Sequence, residues 1–91
     1  MSEDRRLDGN AIAGDLMELF GTELTIAIAV CRGCGSHDQV AAMHVYRDAP
    51  GIVGRCCHCE AVLLRIVRAP GRTYLDLAGV ASLALPAPPT A

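Results

Sequence analysis

The sequence contains no lysine and no tryptophan, and its only aromatic residues are Phe20, Tyr46 and Tyr74. All eight basic residues are arginines, and ten acidic residues outnumber them. Residues 1–30 carry a net charge of −4 and residues 31–91 a net charge of +2. This balance and the shortage of aromatic stacking surface argue against strong electrostatic binding to nucleic acid.

Long hydrophobic runs are also missing. The longest uncharged run, residues 77–91, is interrupted by three prolines, whereas a membrane-spanning helix needs about 20 apolar residues. The first ten residues carry acids where a secretion signal has basic residues. We therefore expect no membrane segment and a cytoplasmic location. There, paired cysteines are more often metal ligands or redox thiols than structural disulfides.

The 91 residues predict one small domain over residues 7–85. We expect residues 1–6 to be a flexible N-terminus and the proline-rich residues 86–91 to be a disordered tail. A core of this size is marginal by burial alone, so a metal, disulfides or a partner subunit is expected to supplement it. The five cysteines are the first candidates.

The fold class predicted by the hydrophobic patterns is small α+β, mainly antiparallel β, with one N-terminal amphipathic helix. Residues 7–21 predict that helix, with Asp8 as its N-cap and Gly21 as its left-handed end. Its apolar face consists of Ile12, Leu16, Leu19 and Phe20. Residues 22–30 alternate with period two and predict a strand that buries Leu24, Ile26, Ile28 and Val30.

Two hairpins are expected to follow. Residues 40–46 and 52–55 flank a DAPG turn, and a register that pairs Arg47 with Ile52 places His44 opposite Arg55. Residues 60–68 and 72–78 form the clearer hairpin, in which Arg65 faces Asp76 and the large aliphatic residues share one face. Residues 79–85 are compatible with either a last short strand or a helical turn.

The cysteines follow the pattern C-x2-C-x21-C-x2-C, formed by Cys31, Cys34, Cys56 and Cys59. Two residues between thiolates allow a tight turn to direct both sulfurs at one ion, and four thiolates suit tetrahedral Zn²⁺. We predict one Zn²⁺ per chain, held by two rubredoxin-like knuckles. Iron uses the same four thiolates and stays open as an alternative.

Other interpretations of the cysteines and histidines stay open. Thiol redox chemistry is a weaker alternative, because neither CxxC pair opens a helix after a strand. Cys57 and His58, between the second pair of ligands, are expected to shape the turn, with Cys57 either inert or oxidisable. His37 is a candidate replacement ligand, although four thiols suffice, and His44 is interpreted as a surface or hydrogen-bonded histidine.

Catalysis is not predicted. Four thiolates close the metal shell, no HExxH or HxE stretch supplies a base, and no phosphate-binding glycine loop or carboxylate pair is present. We therefore expect a metal that holds the fold together in a non-enzymatic protein.

The stretches LDGNAIAG, CRGCG, APGIVGRC, VLLRIVR and LDLAGVASL carry a resemblance. With them, the chain resembles an uncharacterised family of small bacterial zinc-ribbon proteins, over about residues 7–85. The resemblance implies a zinc ribbon and brings no activity, because none is assigned to that family. Where ribbon knuckles often carry proline after the first cysteine of a pair, this chain has Cys57.

Two functional hypotheses follow. The favoured one is an interaction or regulatory module that contacts a protein partner or a second copy of itself. Its candidate interface is the exposed side of the last hairpin, formed by Leu63, Arg65, Val67 and Tyr74, unless the N-terminal helix covers this side. The alternative is a nucleic-acid-binding zinc ribbon of the transcription or translation machinery. Its candidate contacts are Arg32, Arg47, Arg55, Arg68 and Arg72.

Overall fold

A computed structural model describes residues 7–48 and 51–86. The predictions for residues 1–6 and 87–91, and for Ala49 and Pro50 in the DAPG turn, lie outside these ranges. The described chain is mainly antiparallel β with one short α-helix, as the sequence predicts. None of its helices is long and apolar enough to cross a membrane.

The N-terminal segment is less helical than expected. It contains strand β1 (Leu7–Asp8), a 3-10 turn (Gly9–Ile12) and helix α1 (Ala13–Phe20). Asp8 caps the 3-10 turn by accepting a hydrogen bond from the N–H of Asn10, and Gly21 ends α1 with φ of 71°. The predicted start and end signals are therefore used, but the first turn is not α-helical.

A close backbone contact accompanies that first turn. A Cβ atom added to Gly9 would lie 2.0 Å from the carbonyl oxygen of Val40. Only glycine lets the two backbones approach so closely. The 3-10 turn therefore packs directly on a second one, Val40–Ala42, where the sequence predicted the start of a strand.

Within residues 7–48 and 51–86, eight strands form two antiparallel sheets, and the strands are numbered in chain order. The strands that follow β1 are β2 (Ile28–Cys31), β3 (His37–Gln39), β4 (His44–Asp48), β5 (Gly51–Arg55), β6 (Val62–Ala69), β7 (Arg72–Asp76) and β8 (Val80–Ala84). The larger sheet has the order β1-β4-β5-β6-β7, and the smaller one has the order β3-β2-β8. Residues 80–84 are thus a strand, which settles the choice left open for 79–85.

Both predicted hairpin registers are confirmed. Arg47 pairs with Ile52 and His44 with Arg55 in the first hairpin. Arg65 pairs with Asp76 in the second. Arg65 and Asp76 are not among the ion pairs of the described residues, although they face each other; Asp76 instead accepts a hydrogen bond from the N–H of Ala78.

The larger sheet has an inner face toward α1 and an outer face away from it. The buried side chains of Val45, Ile52, Leu64 and Ile66 lie on the inner face. Arg47 and Arg68 lie on the same face and donate hydrogen bonds to Asp15 of α1, at 2.8 and 3.2 Å. The helix therefore covers the inner face. The outer face carries Tyr46, Val53, Val67 and Tyr74.

The strand predicted over residues 22–30 is too long, and its predicted buried side is wrong from Ile26 onward, whereas Leu24 is buried as expected. Within this segment the strand begins only at Ile28, as part of β2 (Ile28–Cys31). The residues before it form a turn at 24–27, in which the N–H of Ala27 donates to the carbonyl of Leu24. The buried side carries Ala27, Ala29 and Cys31, whereas Ile26 is 51% exposed. Cys31 must point inward to join the other cysteines, and the period of two then fixes the side of Ala27 and Ala29.

Candidate metal centre

Two matching turns present the four paired cysteines. The first knuckle, Cys31–Gly35, begins at the last residue of β2, and the second, Cys56–Glu60, connects β5 to β6. In each knuckle the residue four after the first cysteine donates its N–H to that cysteine's carbonyl, at 2.8 and 3.0 Å. The first cysteine's own N–H donates to the carbonyl five residues on, at 3.0 and 2.9 Å. The two knuckles thus share one backbone hydrogen-bond pattern.

The backbone angles confirm this equivalence. Gly35 has φ of 77° and Glu60, at the matching place, has φ of 65°. Among the described residues other than glycine, Glu60 is the one with positive φ. The left-handed conformation costs a side chain roughly 1–2 kcal/mol, so surrounding contacts must compensate for it. Arg55 supplies one of them by donating to the carbonyl of Glu60 at 2.8 Å.

The sulfur atoms of Cys31, Cys34, Cys56 and Cys59 all lie within 4.8 Å of one another. The Sγ atoms of Cys31 and Cys59 are 3.7 Å apart, as are those of Cys34 and Cys56. With Zn–S bonds near 2.3 Å, adjacent sulfurs of a regular tetrahedron lie about 3.8 Å apart. The four predicted ligands therefore form a group that can hold one metal ion.

The cluster lies at the boundary between core and solvent. The first cysteine of each pair, Cys31 or Cys56, is buried, and the second, Cys34 or Cys59, is exposed. Cys31 and Cys56 extend the hydrophobic core, while the exposed sulfurs leave one side of the cluster accessible to solvent. An ion could therefore enter from that side without unfolding the core.

Hydrogen bonds favour the thiolate form at two of the cysteines. Burial of Cys56 opposes ionisation, but hydrogen bonds from the N–H of Cys59, the hydroxyl of Ser36 and the N–H of His58 lower its pKa to about 6. The hydroxyl and N–H of Ser36 also lower the pKa of Cys34.

Cys59 shows the opposite shift. A hydrogen bond from the N–H of Ala61 favours its thiolate, but desolvation and the three neighbouring thiols oppose ionisation and raise its pKa to about 11. The group thus resists holding four negative charges. A divalent cation at its centre would remove this repulsion.

Contacts from other segments fix both knuckles. Arg32, in the first knuckle, donates through its guanidinium to the carbonyls of Ala78 at 2.9 Å and Val80 at 3.4 Å. Its backbone N–H donates to the carbonyl of Gly79 at 2.9 Å. In the second knuckle, Nδ1 of His44 lies 2.7 Å from a carboxylate oxygen of Glu60. His44 is thus a hydrogen-bonded histidine, as interpreted from the sequence.

The predicted interface is divided between the two sides of the sheet. Arg65, Val67 and Tyr74 lie on the outer face, away from α1, and Tyr74 is 54% exposed. Leu63 is only 5% exposed, so its assignment to this surface is wrong. A register shift after Gly54 pairs Arg55 with Val62, leaving Leu63 as the extra residue of a β-bulge. A bulge turns such a side chain out of the strict alternation, here into the core.

A second group of side chains able to bind a metal was missed by the sequence analysis. Asp38, Cys57 and His58 have ligand atoms within 4.8 Å of one another, whereas His37 belongs to neither group among the described residues. Burial raises the pKa of the Cys57 thiol, and the Asp38 carboxylate adds to this effect. The sequence did not predict β3, and it is the pairing of β3 with β2 that brings Asp38 beside the second knuckle.

Fold and site together define a class: a small, mainly antiparallel β protein with one short helix and a cluster of four cysteines that can hold a metal ion. Within that class the chain belongs to a family of unknown function, DUF6510, whose model matches residues 2–88. No curated protein and no solved structure compared with the chain matches it.

Proposed function

We propose that the four paired cysteines bind one Zn²⁺, which makes the domain a zinc ribbon. The observation that carries this proposal is the pair of 3.7 Å Sγ–Sγ distances, close to the edge of a tetrahedral zinc–thiolate site. Zinc is favoured over iron because few aromatic side chains are available to shield a redox-active centre.

The role we propose for the ion is structural. One knuckle follows β2 of the smaller sheet, and the other connects two strands of the larger sheet. A shared ion would therefore join the two sheets at one point. Comparable peptide sites contribute apparent free energies of order 10 kcal/mol, which is large for a domain of this size. Four thiolates leave no coordination position for a substrate, so we propose no catalytic role for this ion.

Its proposed activity is contact with a protein partner through the outer face around Val67 and Tyr74. This face is not covered by α1, and β7 is an edge strand whose five residues are all exposed. Backbone groups along such an edge can pair with a strand of another protein. A second copy of the chain is one such partner.

Nucleic-acid binding is the less favoured function. Four of the five arginines considered for it donate hydrogen bonds within the protein: Arg32 and Arg55 to backbone carbonyls, and Arg47 and Arg68 to Asp15. Each would have to release an acceptor before it could bind phosphate. The net charge of −2 also opposes approach to a polyanion.

Two measurements test these proposals separately. Metal analysis of protein purified without added metal is expected to give one zinc per chain and no iron; iron instead of zinc would contradict the choice of metal. Labelled RNA and duplex DNA titrated at low salt are expected not to bind. Binding that weakens steeply as salt rises would overturn the protein-partner proposal.

Self-association is tested on the outer face directly. Sedimentation velocity over a concentration series would show whether the chain pairs with itself. If it does, Tyr74→Arg should shift the equilibrium toward monomer, because the charge falls on the proposed contact. The matched control is Thr73→Arg, at an exposed position of the same strand with the opposite side-chain direction. Equal effects of the two variants would contradict the assignment of the outer face.

A further inference from the structure

The side chains of Asp38, Cys57 and His58 form a group outside the four-cysteine cluster, and two of them come from the second knuckle. Cys57 and His58 occupy the two positions between Cys56 and Cys59. Asp38 comes from the middle of β3, where it pairs with Ala29 of β2. Nε2 of His58 lies 2.8 Å from Oδ2 of Asp38, and the Cys57 sulfur lies within 4.8 Å of the ligand atoms of both.

We propose that these three residues form a second, exchangeable Zn²⁺ site. A thiolate, an imidazole nitrogen and a carboxylate oxygen are the three ligand types that zinc takes in proteins. Three protein ligands leave one tetrahedral position for water, in contrast to the closed shell of four thiolates. The second ion is therefore expected to bind more weakly and to exchange more readily than the first.

The geometry admits an ion after a small movement. Zinc ligands with bonds near 2.0–2.1 Å lie about 3.3 Å apart in a tetrahedron, so the 2.8 Å contact must open by about half an ångström. The side chains can provide this, because those of His58 and Asp38 are 56% and 35% exposed. Their exposure also gives an ion access from solvent. The ion would take the place of the direct contact between the two side chains.

Charge favours a cation at this place. A zinc ion bound by four thiolates leaves a net charge of about −2 on the neighbouring cluster. The Asp38 carboxylate adds to it, and no arginine donates to Asp38 among the hydrogen bonds of the described residues. A divalent cation would thus be attracted by the first site and by the ligands of the second.

The second site rests on the proposed function, because the second knuckle supplies two of its three ligands. The first ion must hold that knuckle in place before Cys57 and His58 can meet Asp38. Binding is therefore expected to be ordered. Loss of the first site should abolish both, whereas loss of the second should leave the first intact.

The test is a Co²⁺ titration of the protein that already carries its tightly bound zinc, in a thiol-free reductant. Thiolate-to-Co²⁺ charge-transfer absorption and native mass spectrometry would report uptake. Wild-type protein is expected to take up one Co²⁺ per chain beyond its zinc, and Cys57→Ser to take up none. Asp38→Asn, which keeps the size of the side chain, should weaken uptake without removing the first zinc.

His37→Ala is the matched control, because His37 precedes Asp38 in β3 and lies outside the cluster. It is expected to keep the second equivalent. Wild-type protein that holds one zinc and takes up no Co²⁺, or Cys57→Ser that still takes it up, would overturn the second site and leave the first standing. Wild-type protein that binds no metal at all would refute both sites.

Discussion

The equivalence of the two knuckles predicts the same residue preference at positions 35 and 60. Both residues have positive φ, at 77° and 65°. The left-handed conformation costs alanine roughly 1–2 kcal/mol, and the smaller entropy of the unfolded alanine chain returns about 0.4–1 kcal/mol. The free energy of unfolding should therefore be about 1 kcal/mol larger with glycine than with alanine at each position.

Position 35 is tested by Gly35→Ala and position 60 by comparing Glu60→Gly with Glu60→Ala. A Cβ atom at Gly35 would meet no heavy atom within 4 Å, so its cost comes from the backbone angle alone. Both variants at position 60 lose the contact with His44, so their difference isolates the same cost.

The assay is urea unfolding with zinc held at one excess concentration, because bound metal shifts the apparent stability. For a domain of this size, a difference of 1 kcal/mol moves the midpoint by about 1 M urea. At both positions, the protein with glycine should have a higher urea midpoint than the protein with alanine. Equal midpoints for Glu60→Gly and Glu60→Ala would refute the left-handed conformation of Glu60 and with it the matching of the knuckles.

Three further predictions concern stability. Gly9→Ala should destabilise the fold by more than about 3 kcal/mol, because its Cβ atom would lie 2.0 Å from the carbonyl oxygen of Val40. Gly14→Ala has open space around it and should stabilise α1 by up to about 1 kcal/mol. Urea midpoints that shift in the same direction for both variants would contradict this pair of predictions. Desolvation opposes ionisation of Asp15, but its two arginine partners lower its pKa below the usual 3.8. Asp15→Asn should therefore cost about 1 kcal/mol near neutral pH, and this cost should begin to fall below pH 3.8 and disappear only below the lowered pKa of the folded protein. A cost that stays constant in thermal unfolding from pH 7 to pH 3 would refute the ion pair. A chelator that binds zinc more tightly than the site does should lower the melting temperature by more than about 10 °C, and added zinc should restore it. An unchanged melting curve after metal loss would show that the ion is not structural.

The sequence predicted best where neighbouring residues determine the structure. The hairpin of β6 and β7 followed from the proline–glycine turn and the alternation of Leu64 and Ile66 with Arg65. The cysteine spacing identified four side chains that the structure brings together. In both cases the constraint is local, because a tight turn sets the direction of the side chains on either side of it.

The predictions failed where contacts between distant segments of the chain determine the structure. Alternation over residues 22–30 could not show that Ala29, rather than Ile28, faces inward, because that choice depends on Cys31 meeting the second knuckle. The bulge that buries Leu63 depends on pairing between β5 and β6. Asp38 could not be linked with His58 because Asp38 lies in β3 and His58 in the second knuckle, two segments that only the folded chain brings together.

The most direct test of the central claim is native mass spectrometry of the protein and two single variants, purified without added metal. The proposed site uses Cys56 and leaves Cys57 outside the shell of four thiolates. We therefore expect one tightly bound zinc in the wild-type protein and in Cys57→Ser, and none in Cys56→Ser. Zinc retained at full stoichiometry by Cys56→Ser, or lost from Cys57→Ser, would contradict the assignment of the four ligands.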